Sequence, residues 1–428
     1  MYLNTPKRYR KTRRRLFNFR WLWLYILFPV IIIPAMLLWQ FRGQISGDVG
    51  RWVERNIKFN VNPPTPTATI PAVDLQTRLV SYIQSGNMKN AISTLTSLAS
   101  ARPNDLDAYT RLTKMILFRD DSPKAREEAL RAAEGALNAN PEAADGWIMV
   151  AMALNALDRP SEALPYLLRA RDFDTRDPWL LAVLADTYDA IGRGSRALGL
   201  VEESLEAAKA TAASQNGNNV VVIAYANVVK GKILLASSGE QAIRAFEEGW
   251  RVAQQDSQMP IGYIAQWLWS YYFNVNDFQK ITDSLDLATA RDKDDPINAY
   301  LLGRTYIKAG DPNRAIISLE RCRDLDPDQV KCLRWLGTMM FRQENYQRAA
   351  ELGLRAIELG TTDVGAYLVA GSALAYNGRC GEAVSVLQAG LNLAQTQGSS
   401  ADWVAQFRDA LRSCGAGNNV FATPTPGQ

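Results

Sequence analysis

Residues 297–329 read INAYLLGRTYIKAGDPNRAIISLERCRDLDPDQ. Leu302, Gly303 and Tyr306 recur at helical spacing, and so do Ala315, Leu319 and Cys322. Gly310 stands between the two runs, and Pro327 closes the second. The spacing predicts two helices joined by a short turn. Counted from Pro296, the eighth and twentieth residues are Gly303 and Ala315. Small residues there let the two helices approach closely, while the large apolar residues are left to pack against a neighbouring pair. One such hairpin cannot bury its apolar face alone, so the pattern has to recur.

It does recur. Residues 330–362 place Leu336, Gly337, Ala349, Gly353 and Ala356 at the same offsets. Residues 143–176 supply Trp147, Ala151, Leu154, Ala163, Leu167 and Ala170. Residues 72–104 supply Leu79, Tyr82, Gly86, Ala91, Leu95 and Pro103. The expected array is all-α, with copies at 72–104, 105–142, 143–176, 177–215, 219–255, 258–295, 296–329, 330–362 and 363–397. A helix over 399–414, with Trp403, Phe407 and Leu411 on one face, is expected to cap the open end. Two stretches fit poorly: RDDSPKAREE (119–128) and ATAASQNGNNVVV (210–222). Each reads either as a lengthened turn or as a bend between two subarrays. Over roughly residues 72–398 the pattern resembles the tetratricopeptide repeat family, in its membrane-anchored prokaryotic form.

Composition narrows the chemistry. The 428 residues hold 48 Lys and Arg against 44 Asp and Glu, a formal charge of +4. Residues 1–20 carry Lys7, Arg8, Arg10, Lys11, Arg13, Arg14, Arg15 and Arg20 without an acid, so that segment is +8 and the remainder is +4 − 8 = −4. A nucleic-acid groove on the body is disfavoured, because neutralising phosphates needs a basic face there. Histidine is absent, which removes every Ser-His, Cys-His and His-metal arrangement. No Gly-rich phosphate loop or paired-Cys knuckle appears either, so neither cofactor nor catalysis is expected. Asp292, Asp294 and Asp295 have the composition of a metal site, but they fall at an inter-repeat turn where Asp caps helices.

Trp21 to Phe41, WLWLYILFPVIIIPAMLLWQF, holds no charge. A helix of that length spans about 30 Å, roughly one hydrocarbon core. Trp21, Trp23, Tyr25 and Trp39 sit near its ends, as aromatic rings prefer the interface. A cleaved secretory signal is the alternative, but its apolar region is shorter and ends in small residues. The first cysteine is Cys322, so no lipid-modified Cys follows the run. The basic flank before an uncleaved span places residues 1–20 in the cytoplasm and the body outside it. Residues 42–71 follow, with Val49, Trp52, Val53 and Ile57 at helical spacing and then Pro63, Pro64, Pro66 and Pro71 among threonines. The first part reads as an interfacial helix or a plain stem, and the second as an extended spacer. The tail 415–428 repeats the Thr-Pro composition, which resembles stalks of exported bacterial proteins.

Cys322 and Cys332 flank Pro327 symmetrically, and Cys380 and Cys414 stand at helix ends that meet if the cap packs antiparallel. The expected disulfides are Cys322–Cys332 and Cys380–Cys414, although four cysteines allow three connectivities. The competing reading makes Cys322 a small buried residue where the repeat prefers Ala. Oxidation agrees with a body outside the cytoplasm.

The resemblance implies that the first helix of each repeat lines a concave groove. In the last third the corresponding residues are Tyr263, Gln266 and Phe273, then Tyr300, Arg304 and Lys308, then Lys331, Arg334, Phe341 and Arg342. Trp267 and Trp335 sit one residue away. Aromatic rings with Arg suit an extended peptide or an acidic tail. The carboxylate clamp of some family members is missing: Lys331 occupies one clamp position, but Trp335, Ser270 and Leu301 replace the others. The expected function is a membrane-anchored, noncatalytic scaffold for protein partners on the extracytoplasmic side. The alternative is a noncatalytic regulatory subunit of a membrane-bound enzyme that handles envelope glycan or lipid.

Overall fold

The computed structural model describes residues 72–119, 122–214, 219–256 and 259–415. The chain divides into two units, Met1–Thr69 and Ile70–Gln428. The basic tail, the expected span at 21–41, the segment 42–71 and the tail from residue 416 all lie outside the described residues. Among the described residues no helix is long and apolar enough to cross a membrane.

The described residues of the second unit form nineteen α-helices and no strand. The first hairpin pairs α1 (Ala72–Gln84) with α2 (Met88–Ala101), and the second pairs α3 (Leu106–Arg119) with α4 (Pro123–Ala139). The third pairs α5 (Ala144–Ala156) with α6 (Pro160–Arg171), the fourth α7 (Pro178–Ala190) with α8 (Gly194–Ser214), and the fifth α9 (Val220–Leu234) with α10 (Gly239–Ala253). Next come α11 (Gly262–Val275) with α12 (Phe278–Arg291) and α13 (Pro296–Ala309) with α14 (Pro312–Leu325). The last two hairpins are α15 (Val330–Arg342) with α16 (Tyr346–Glu358) and α17 (Val364–Tyr376) with α18 (Cys380–Thr396), followed by a single α19 (Ala401–Ser413).

Short polar side chains set many helix starts. Asp177, Asp277, Asp311 and Asn345 each accept a hydrogen bond from the backbone N–H three residues on. Gly310, at φ +78°, ends α13 in the left-handed region that a side chain disfavours. Gly303 shows why the eighth position is small: a Cβ there would lie 2.6 Å from Leu319 Cγ. Leu319 is fully buried and has no room to yield. Gly303→Ala should therefore lower stability by about 1–3 kcal/mol in a denaturant titration, as overpacking does. A neutral result would mean that α13 and α14 separate freely.

First helices of successive hairpins touch, α3 to α5, α5 to α7, α7 to α9, and again α11 through α13 and α15 to α17. They form the inner layer of the array. The succession lapses after the fifth hairpin, where α11 packs on α10 but scarcely on α9. Two apolar clusters meet there within α9: Ala224 and Val228 belong to the later one, Tyr225 and Val229 to the earlier. The two ill-fitting stretches of sequence lie partly outside the described residues, at 120–121 and 215–218. Their described parts belong largely to α4, of 17 residues, and α8, of 21, which are long second helices.

The bend brings the second hairpin against the sixth. Phe118 stacks on Tyr263 with ring centroids 5.9 Å apart and lies equally close to Tyr225. Arg119 Nε donates to Asp292 Oδ2 at 2.7 Å, and its Nη2 to the Asp294 carbonyl at 3.0 Å. The Lys293 N–H donates to the Gly86 carbonyl at 2.8 Å. The three acids near 292–295 thus divide their work. Asp295 caps α13 as expected, accepting from the Ile297 N–H, whereas Asp292 is the partner of a cation from a distant hairpin. Burial pushes the Asp292 carboxyl upward, and the Arg119 charge opposes that shift.

Cys322 is bonded to Cys332 across the α14–α15 turn, with Cα atoms 6.0 Å apart. Cys380, which opens α18, is bonded to Cys414 at the end of α19, with Cα atoms 5.3 Å apart.

Candidate functional site: the inner face of the array

Because first helices form the inner layer, their side chains line the space beside the second-to-sixth hairpin contact. A cavity of about 690 Å³ lies there, bounded by residues from the second hairpin through the eighth. Phe118, Tyr225, Tyr263, Trp267, Trp269 and Tyr300 give it an aromatic wall. Its polar groups are largely matched among themselves. Lys232 Nζ donates to Asp186 Oδ1, and Tyr225 Oη donates to Asp186 Oδ2 at 3.1 Å. Burial alone would lower the Lys232 ammonium, but the adjacent Asp186 carboxylate overrides it and the net direction is upward. Burial, reinforced by Asp186, raises the Tyr225 hydroxyl well above its ordinary value. The three groups therefore hold one charge pair, fixed and partly withdrawn from water.

Beyond the cavity a strip of cations and rings continues along α11, α13 and α15. The Arg304 and Arg334 guanidinium carbons each lie 3.7 Å from the Trp335 ring centroid. Lys308 Nζ sits 4.3 Å from the Phe273 ring and donates to the Phe273 carbonyl. Arg304 Nη1 also donates to Tyr300 Oη at 3.1 Å. The charge distribution is one-sided. In α11, α13, α15 and α17 the charged residues are Arg304, Lys308, Lys331, Arg334 and Arg342, with no acid among them. The outer helices of the same hairpins are balanced, with acids such as Asp283, Glu320, Glu351 and Glu382 matched in number by Lys and Arg.

The residues expected from sequence divide between these two regions. Tyr263, Gln266, Trp267, Tyr300 and Lys331 line the cavity. Phe273, Arg304, Lys308 and Trp335 form the strip, and the exposed Arg342 ends α15. Arg334 differs from the expectation of an open groove cation. Its side chain is only 11% exposed and lies 3.1 Å from Asp363 Oδ2. It also packs over Gly365, where a Cβ would meet its guanidinium at 2.3–2.9 Å. Burial draws the Arg334 guanidinium downward in pKa, against the pull of Asp363. Arg334 thus joins the eighth hairpin to the ninth. Tyr300 is likewise buried, with only its hydroxyl edge turned to the strip.

Sequence reasoning missed the half of the cavity that the second to fifth hairpins supply, chiefly Phe118, Asp186, Tyr225 and Lys232. It also missed Trp269 and Ser270. These two fall on the twelfth and thirteenth positions counted from residue 258, so the groove rule applied evenly would have found them. Phe118 and Tyr225 satisfy no such rule, because their role arises from the bend.

Residues 126–178 and 300–364 match the family model described as tetratricopeptide repeat. No curated protein sequence matches significantly. Among solved structures, the APC/C hetero-tetramer Cut9–Hcn1 is similar with a TM-score of 0.53 at 14% identity, covering 76% of this chain and 59% of that one. The chain therefore spans about three fifths of that neighbour's length. YrrB, a tetratricopeptide repeat protein with an unusual peptide-binding site, gives a TM-score of 0.35 at 16% identity over 47% of this chain and 95% of its own. The C-terminal part of a repeat-containing protein from Cytophaga hutchinsonii gives 0.40 at 16% identity over 60% and 98%. In the matched segments this chain is similar to the tetratricopeptide repeat family, and the other hairpins of the array repeat the same helix pairing.

Proposed function

We propose that this protein is a membrane-anchored scaffold that holds an extended acidic segment of a partner protein along the inner face of its last four hairpins. A repeat array of this family is a surface for protein–protein contact, and the anchor and its orientation rest on the uncharged run 21–41 behind eight positive charges. The observation that carries the partner reading is the charge of the inner helices: α11, α13, α15 and α17 hold five cations and no acid, and of the five Arg334 alone is paired with an acid, Asp363. Several of those cations stand over aromatic rings, which lowers the cost of ordering them. The cysteine pairs agree with a body outside the cytoplasm, where disulfides persist.

Two measurements test the proposal. Protease added to intact, wall-stripped cells should digest the body and spare residues 1–20; a protected body places the inner face in the cytoplasm and ends the topological half. Crosslinking with the Arg304→Glu/Lys308→Glu/Arg342→Glu variant should reduce recovery of the partner by roughly tenfold or more, since each opposed charge costs on the order of 1 kcal/mol. Recovery unchanged at an unchanged melting temperature moves the site off this face. Recovery of only a glycan- or lipid-handling enzyme would make the chain a regulatory subunit instead.

A further inference from the structure

We infer that the cavity is a socket for one bulky aromatic side chain of the bound segment, whose acidic residues then run along the strip formed by α13 and α15. The inference rests on the partner reading above and adds the feature that would distinguish one acidic segment from another. Size permits it: at about 690 Å³ the cavity lies within the range, roughly 300–1,000 Å³, of pockets that hold organic ligands.

The chemistry of the walls selects the occupant. On the side of α5, α7 and α9 the polar groups are already matched, Lys232 and Tyr225 to Asp186 and Asn155 Nδ2 to Thr187 Oγ1 at 2.9 Å. Trp269 Nε1 donates to Thr305 Oγ1 at 3.0 Å. A charged group brought in here meets partners that are already engaged, so its desolvation goes uncompensated. A ring instead meets Phe118, Tyr225, Tyr263 and Trp267, which offer faces and edges for offset or tilted contact. Apart from the exposed Asp158 at the α5–α6 turn, the uncommitted polar groups among the described lining residues stand on one side of the cavity. The Gln266 amide and the Lys331 ammonium make no hydrogen bond among the described residues. They stand on α11 and α15, the helices that carry the strip, and suit the carbonyls and carboxylates of the segment that bears the ring. The socket thus adjoins the strip, and its far wall is the Phe118 edge brought by the bend.

The test uses the full chain in detergent and three fluorescein-labelled peptides: an acidic peptide with a central Trp, the same peptide with Ala at the centre, and a Gln/Asn counterpart that keeps the Trp. The acidic Trp peptide should bind at least roughly tenfold tighter than the Ala peptide, the effect of a central aromatic anchor. Gln266→Trp fills the cavity without breaking a hydrogen bond within the chain; it should abolish that difference, weaken the Ala peptide only modestly through the lost amide, and leave the melting temperature unchanged. Equal binding of the Trp and Ala peptides, with both weakened by Arg304→Glu/Lys308→Glu, overturns the socket and leaves the strip standing. An undiminished Trp advantage in Gln266→Trp also overturns it. If neither acidic peptide binds better than the Gln/Asn counterpart, the strip fails, and the socket with it.

Discussion

Arg119→Ala should open the contact between the second and sixth hairpins and leave each hairpin folded. Arg119 and Asp292 are 12% and 3% exposed, so their ion pair is largely withdrawn from water. Removing one partner of a buried pair costs about 3–5 kcal/mol, because the other charge stays behind unmatched. The readout is local. The Lys293 N–H, bonded to the Gly86 carbonyl of the first hairpin beside this contact, should exchange at least about a hundredfold faster, the rate equivalent of that free energy. Amides inside α12 and α13 should keep their protection. Asp292→Asn separates charge from hydrogen bonding. The amide oxygen still accepts from Arg119, but the guanidinium loses its counter-charge and the Asp294 N–H its acceptor, so the exchange rate should rise by an intermediate amount. Unchanged Lys293 exchange in Arg119→Ala would mean that the Phe118 ring alone holds the contact.

The second large effect belongs to the cap. Phe407 is fully buried on α19, and a Cβ on Gly390 would lie 2.5 Å from its ring. Phe407→Ala removes that ring from a close-packed site and should cost about 3–5 kcal/mol. In a solenoid the loss is felt at the nearest interfaces. Exchange in α19 and α18 should accelerate, Trp403 emission should shift to the red, and the first five hairpins should hold. The Cys380–Cys414 bond tethers α19 at its far end, so adding Cys414→Ser should deepen the loss. A cost under about 1 kcal/mol would show that α19 seals nothing.

What could be read in advance was local. Gly303 against Leu319, Gly310 at the turn and Asp311 at the next helix start are contacts within one repeat, set by neighbours a few residues away. Phe407 and Leu411 lie on one face of α19, and that face is buried. The strip was legible for the same reason, since Arg304, Lys308 and Trp335 occupy fixed positions on their own helices. Arg334 was misplaced because its environment is made by Asp363 and Gly365 of the following hairpin.

The sequence by itself determined the hairpin, its repetition and its cap, because helical spacing and small-residue contacts are short-range and recur with the period. Only the tertiary structure decided that Arg119 meets Asp292, 173 residues further along the chain, and that a cavity lies beside that contact. The curvature of an array is the sum of small rotations between neighbours. No single repeat encodes that sum, so the residues it brings together carry no common spacing.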